Sequence, residues 1–296
     1  MEHLSHQKNI YIDGKIIPSS SSGVNAASQT LNYGFGAFEG IRSYATANGT
    51  KIFKAEEHFK RLKSSCEQIH LPFKWDIKQL IKDTHKLLEA NGLNNAYIKP
   101  VVYSGEGMNM VNSDQSHILI MAWEWESFFG DRLLKTCISS YEKPNPNSAP
   151  INAKLTGNYL NSVLAISEAN RNGFDEAILI DMHGYLTESS SANIFIEKDG
   201  KLFTPCEGNI LLGITRKTVM QIAKQLDIEV LEKNLTINDL KNADAAFLCG
   251  TAAEIVGIQS IDETHLPFSF SDSIGSSIQR VYKSLVLDKL SFEVII

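Results

Sequence analysis

Lys154 stands in the stretch NAKLTGNYLNS, residues 152–162, in a small polar loop ahead of an apolar-periodic segment. A lysine in a loop is ordinarily a solvated charge. Its chemical alternative is a Schiff-base amine, which must be neutral to attack a carbonyl and so needs a dry or cation-lined pocket. Thr156 and Gly157 beside it are small enough for a flat ligand to come close. Glu188, in YLTESSSAN, ends a β-prone run ahead of three serines. It reads either as a turn carboxylate or as the partner of a protonated pyridine nitrogen, which keeps such a ring an effective electron sink. GITR at 213–216 places a glycine before two residues that open a helix. Their amides and the positive end of the helix dipole suit a phosphate, although a plain helix start fits the same residues. Thr251 in CGTAAE can add a hydroxyl, and Arg61, off the apolar stripe of its helix, a full charge. An arginine in that position otherwise faces solvent.

These residues need elements to hold them. The start, IYIDGKIIP, reads as a hairpin around Asp13-Gly14, and SSSS at 19–22 as a loop. Phe59, Leu62, Cys66 and Ile69 form one stripe of a helix over 55–69. A second helix is expected at about 76–91, with Asp76 as N-cap, Ile77, Leu80, Ile81, Thr84 and Leu88 inward, and Gly92 as its stop. Strands follow at 96–104 and 117–126. YEKPNPNSAP at 141–150 carries three prolines, which excludes regular helix and central strand, so it reads as a loop. Beyond it a helix over about 158–172 precedes short strands that turn at His183-Gly184 and Lys198-Asp199-Gly200. Helices from Thr215 and about Ile237, strand and loop over 245–262, and a last helix within 271–286 complete the chain. Strand runs mixed with isolated helices indicate an α+β class. The expected division is a domain at 1–126, a linker at 127–134 and a second domain at 135–296 that carries Lys154.

With 296 residues, 43% of them hydrophobic, the chain can build two cores. A net charge of -6 without a basic tract disfavours a nucleic-acid surface. Cys66, Cys137, Cys206 and Cys249 form no C-x-x-C pair, so no metal site is expected and the thiols read as reduced and cytoplasmic. No apolar run approaches a membrane span, and the N-terminus has no core of signal-peptide length.

The ordered set YGFGAFEGIR, EHFKRL, AYIKP, AKLTGNYLNS, GYLTESSSANIF, GITR and GTAAEI resembles the class IV, fold type IV, pyridoxal-phosphate aminotransferases, and among them most the branched-chain amino acid aminotransferases. The resemblance implies a two-domain, D-amino acid aminotransferase-like α+β fold with pyridoxal 5'-phosphate in the interdomain cleft, and a homodimer or higher homo-oligomer. It implies that Lys154 holds the cofactor and shuttles the proton, that Glu188 meets the pyridine nitrogen, and that Tyr159 lies near the ring oxygen. Arg61, Ile214, Thr215 and Thr251 correspond to the phosphate cup. Phe38, Tyr97, Lys99 and Tyr33, the last from the partner subunit, correspond to the substrate pocket, and the backbone around Thr251 and Ala252 to the carboxylate site. The implied reaction moves an amino group between leucine, isoleucine or valine and 2-oxoglutarate.

Two positions depart from the family pattern. Ala192 stands where E-G-x-x-E-N has its second glutamate, and Lys99 where Y-I-R-P has its arginine. A lysine keeps the charge but loses the planar fork. D-amino acid aminotransferases, aminodeoxychorismate lyases and (R)-amine transaminases share the fold and remain alternatives, with -SSSAN- favouring the first two and FEGIR the branched-chain group. A non-catalytic binding protein would have no need of a Schiff-base lysine. Cys66 and His70 are one helical turn apart, but Cys66 is on the buried stripe and no G-x-S-x-G elbow exists, which disfavours a hydrolase.

Overall fold

The computed structural model describes residues 8–112, 114–125 and 132–290. The chain divides into two compact units, one of residues up to 126 together with 153–158, the other of 127–152 with 159–296.

In the first unit, β1 (Asn9–Ile12) and β2 (Lys15–Pro18) form the expected hairpin. Asp13 and Gly14 both take positive φ, the backbone a two-residue turn between right-twisted strands requires. The serine run after β2 is not wholly irregular, because Ser19–Ser21 form one 3₁₀ turn. Then come α1 (Gln29–Tyr33), β3 (Gly36–Phe38), β4 (Ile41–Thr46), β5 (Gly49–Ile52), α2 (Ala55–Gln68), α3 (Ile77–Asn91), β6 (Ala96–Ser104) and β7 (Ser116–Glu124). The strands join in one antiparallel sheet in the order β2-β1-β7-β6-β4-β5, with β3 also on β6. Phe59, Leu62 and Cys66 of α2 and Leu80, Leu87 and Leu88 of α3 pack on its buried face. Asp76 caps α3 by accepting from Gln79 N at 2.8 Å, and Gly92 ends it in the left-handed region.

The second unit holds β8 (Leu134–Ile138), α4 (Tyr159–Arg171), β9 (Glu176–Ile180), β10 (Leu186–Ser189), β11 (Asn193–Lys198), β12 (Lys201–Thr204), α5 (Ile214–Gln225), β13 (Val230–Glu232), α6 (Ile237–Lys241), β14 (Ala245–Gly250), β15 (Glu254–Ile261), β16 (Thr264–His265) and α7 (Ile274–Val286). Pairings run β10-β9-β8-β15-β14-β11 and return from β11 to β10, so these strands close a ring. A closed ring leaves none of its strands as an open edge. The closing pair is Glu188, already marked by its chemistry, opposite Asn193. Ile194, Ile196, Leu248, Val256 and Ile258 fill the core beneath.

The division differs from the sequence expectation at one consequential place. Residues 153–158, Lys154 included, group with the first unit rather than with the segment 135–296. The cause is backbone pairing, since Phe38 N donates to Lys154 O at 3.0 Å and Thr156 N to Gly36 O at 2.9 Å, and Leu155 bridges Ala37. Most of the expected linker, residues 127–131, lies outside the described residues.

Candidate active site

In the first unit, Lys154 and Lys99 converge on Phe38, while Arg61 and Tyr97 meet the next two residues, Glu39 and Gly40. Lys154 is held by its backbone, which accepts from Phe38 N and donates to Ser65 Oγ at 3.0 Å. Its Nζ lies 4.9 Å from the centroid of the Phe38 ring, and Lys99 Nζ lies 5.0 Å from the same centroid. Lys99 therefore does reach the neighbourhood of Lys154, because alternate residues of β6 point the same way and Tyr97 and Lys99 share a face. Burial lowers the Lys99 pKa below the ordinary lysine value, and the nearby Lys154 charge lowers it further. Two cations beside one ring make an electropositive, partly dry surface suited to an anionic ligand.

Tyr97 is wedged against Trp123 and Trp125, with ring centroids 5.2 and 5.3 Å away. Its hydroxyl occupies the space a side chain at Gly40 would need, since a Cβ there would overlap it. Gly40 of FEGIR is thus required for close approach. Arg61 donates through Nε to Glu39 Oε1 at 2.6 Å and through Nη2 to Glu39 Oε2 at 2.9 Å. His58 Nδ1 lies 2.8 Å from the same Oε2. Burial alone would raise the Glu39 pKa, but the Arg61 charge and hydrogen bonds from His58 and Arg61 outweigh it and bring it down to about 2. Burial holds the His58 pKa below its usual value against the opposing pull of Glu39. An ionised carboxylate only accepts, so the shared proton is on His58 Nδ1 and His58 donates.

In the second unit, Glu188 is almost wholly buried and gathers three donors. Lys143 Nζ pairs with Oε1, Asn193 Nδ2 donates to Oε2 at 3.1 Å, and Leu211 N reaches the two oxygens at 3.3 and 3.2 Å. Asn193 Nδ2 also donates to Leu211 O at 3.0 Å. Gly213, two residues on, caps α5 without a side-chain hydrogen bond, and a Cβ on it would overlap Asn193 Oδ1. Ile214 and Thr215 are the first residues of that helix. The carboxylate and the amide-bearing end of α5 are consequently braced by one asparagine. Thr251 and Ala252 lie in the turn after β14, beside Gly250, whose built Cβ would sit 3.4 Å from Ala192 Cβ.

The serines after Glu188 have structural work that the sequence left open. Ser189 Oγ accepts from Ala192 N at 2.9 Å and tightens the ring-closing turn. Ser190 and Ser191 donate to Glu176 at 2.5 and 2.9 Å. Burial raises the Glu176 pKa, with these hydrogen bonds opposing. Ala192 is buried in the apolar core of the unit, which a glutamate at that position would have to enter. Tyr159, at the start of α4, lines a hollow of about 350 Å³ with Glu176, Ser190 and Ser191. Tyr33 is half exposed and donates to Met108 O at 3.1 Å. Cys66 is buried and its thiol is pushed up to about 12, which leaves it inert as a nucleophile.

Each unit carries groups that suit pyridoxal phosphate: the first a primary amine beside an aromatic face, the second a carboxylate for a ring nitrogen and a helix N-terminus with a hydroxyl residue for a phosphate. Sequence reasoning missed Glu39, His58, Lys143 and Asn193, which contact the predicted site residues Arg61 and Glu188 or one another. His58 and Arg61 at i, i+3 offered a hint, since that spacing puts both on one helix face.

The profile of the family described as Amino-transferase class IV matches residues 36–261, and the chain belongs to this family of pyridoxal-phosphate enzymes. It is 35% identical over 286 residues, 95% of this chain and 93% of the relative, to the branched-chain-amino-acid aminotransferase of Pseudomonas aeruginosa. Among solved structures it is similar to the branched-chain aminotransferase of Thermoproteus uzoniensis with norvaline, at 36% identity and a TM-score of 0.92, covering 96% of each chain. It is likewise similar to the branched-chain amino acid aminotransferase of Thermobaculum terrenum in its PLP-form, at 31% identity and a TM-score of 0.90, covering 100% of this chain and 97% of that one. Among the described residues no helix is long and apolar enough to cross a membrane.

Proposed function

We propose that this chain is a branched-chain-amino-acid aminotransferase, moving the amino group of L-leucine, L-isoleucine or L-valine to 2-oxoglutarate. The observation that carries this reading is the lysine pair on Phe38, read together with relatives of that name along 93–95% of the chain. Bound pyridoxal phosphate supplies an electron sink for the charge left when the Cα proton departs. Lys154 Nζ anchors the cofactor at rest and, once displaced, takes that proton, so it serves as both attachment point and general base. Glu188, held in place by Lys143 and Asn193, faces the ring nitrogen. Arg61, Ile214, Thr215 and Thr251 hold the phosphate, and Tyr159 the ring oxygen. Phe38 and Tyr97 bound the side-chain pocket, with Tyr33 contributed by the partner subunit, and the backbone at Thr251 and Ala252 receives the substrate carboxylate. Lys99 attracts the distal carboxylate of glutamate or 2-oxoglutarate, a charge the branched substrates lack. The two substrates bind alternately, giving ping-pong kinetics.

Exposed Leu31, Tyr33, Met108, Met110 and Val111 support a homodimer, because a second copy would cover them. Four free cysteines accord with a reducing, cytoplasmic setting. The test is the visible spectrum of the cofactor-loaded protein before and after L-leucine, L-valine, L-glutamate or D-alanine, each without oxo acid. Loss of the long-wavelength cofactor band with L-leucine and L-valine supports the proposal. Loss with D-alanine alone moves the function to the D-specific relatives, and the absence of any band removes the role of Lys154.

A further inference from the structure

Glu39, His58 and Arg61 come from two places in the first unit, the residue directly after β3 and the body of α2. Glu39 is fully buried, His58 is 2% exposed and the Arg61 side chain 15%. The pairing is side-on: the Nε edge of Arg61 meets both oxygens of Glu39. A guanidinium has five N–H groups in one plane. Two of them are on Glu39, so the direction of the remaining edge is dictated by the carboxylate. His58 in turn donates to Glu39 Oε2, and Glu39 N donates to Pro100 O at 2.9 Å, so the carboxylate is itself held from two sides.

A buried ion pair is poor value as a stabiliser, since apolar residues of similar volume usually do as well. What it does provide is orientation, because a bidentate pair permits one plane only. Glu39 also directly follows Phe38, whose ring carries the amine of Lys154. The strand end that positions the reactive lysine's neighbour therefore also aims the arginine.

We infer that Glu39 and His58 are positioning residues for cofactor binding: Glu39 orients the Arg61 guanidinium toward the cofactor phosphate, and His58, through its Nδ1 contact at 2.8 Å, holds the Glu39 carboxylate in place. The inference rests on the reading of Arg61 as a phosphate contact.

The experiment compares two ligands that differ only in the phosphate. The full chain, stripped of cofactor, is titrated with pyridoxal phosphate and separately with pyridoxal, following the visible band formed at Lys154. Glu39→Gln, His58→Gln and Arg61→Ala are compared with the unaltered protein, and thermal melting checks that each is folded. In all three the dissociation constant for pyridoxal phosphate should rise about tenfold or more, as expected for a misaligned charge-assisted contact, while that for pyridoxal stays within about twofold. If Arg61→Ala is selective but Glu39→Gln and His58→Gln weaken neither ligand or both alike, the positioning role is wrong and the Arg61 reading survives. If Arg61→Ala is itself unselective, the phosphate reading falls and the inference with it. Should Glu39→Gln not fold, His58→Gln decides alone, because its amide falls near the Nε2 rather than the Nδ1 position and so loses the contact with Glu39 Oε2 without touching the Glu39–Arg61 pair.

Discussion

Replacing Glu39 by glutamine should cost the first unit about 3 kcal/mol near neutral pH, and this cost should shrink as the solution is acidified. Its pKa falls from an ordinary 4.5 to about 2 in the folded protein. At about 1.4 kcal/mol per pKa unit, the folded state gains about 3 kcal/mol from its ionisation. The value is also at the lower end of what removing one partner of a buried pair costs, about 3–5 kcal/mol. A group whose folded pKa is depressed stabilises fully above its unfolded pKa, and the benefit disappears as pH falls through the folded value. For Glu39 that window runs from 4.5 down to about 2. Protonation of the unfolded chain alone removes about 2 kcal/mol by pH ~3, so the gap between the two proteins should narrow to about 1 kcal/mol there. His58, also depressed, adds an acid-sensitive contribution that begins at its ordinary 6.5 and acts in the same direction. Trp75, Trp123 and Trp125 are the chain's three tryptophans and all belong to the first unit, so urea unfolding followed by tryptophan fluorescence reports on the unit that contains Glu39. An unchanged midpoint for Glu39→Gln at pH 7, or a gap that does not narrow with acid, would refute the account of this buried pair.

Lys154→Ala should leave a folded protein without transamination, because its backbone bonds to Phe38 and Ser65 survive while the amine is lost; turnover near the wild-type rate in a coupled 2-oxoglutarate assay would contradict its role. Gly213→Ala should force Asn193 off its place, since the new Cβ would overlap Oδ1. Weaker cofactor retention, by about tenfold or more in dialysis against buffer, is the expected result, since one to two lost hydrogen bonds are involved. Lys99→Met should raise KM for glutamate and 2-oxoglutarate by about 10- to 100-fold, the loss of one charge-assisted contact of ~1.5–3 kcal/mol, with KM for leucine little changed. Equal effects on leucine and glutamate in steady-state kinetics would remove Lys99 from acceptor recognition.

Much of the architecture was legible locally. The stripe Phe59, Leu62 and Cys66, the cap Asp76 and the stop Gly92 act within a few residues of each other, so periodicity and capping chemistry report them directly. The turns Asp13-Gly14 and Asp199-Gly200 announce their positive φ in their residue types. Ile77 and Ile81, expected inward, are partly buried on the core, while Leu87, on the same face, is fully buried.

What the chain by itself determined, then, is the set of elements and the candidate lysine, carboxylate and helix start that suit its cofactor. Only the tertiary structure decided which side chains hold those groups in working order. Glu39 meets Arg61 from 22 residues away, Lys143 meets Glu188 from 45, and Lys99 and Lys154 share the ring of Phe38. The same holds for Lys154 joining the first unit, which follows from backbone pairing with residues 36–38. The physical reason is common to all of them. Local propensities act over a helical turn or a strand pleat, whereas a buried charge finds its partner wherever the sheet and its covering helices bring one within hydrogen-bond reach, and no spacing along the chain encodes that distance.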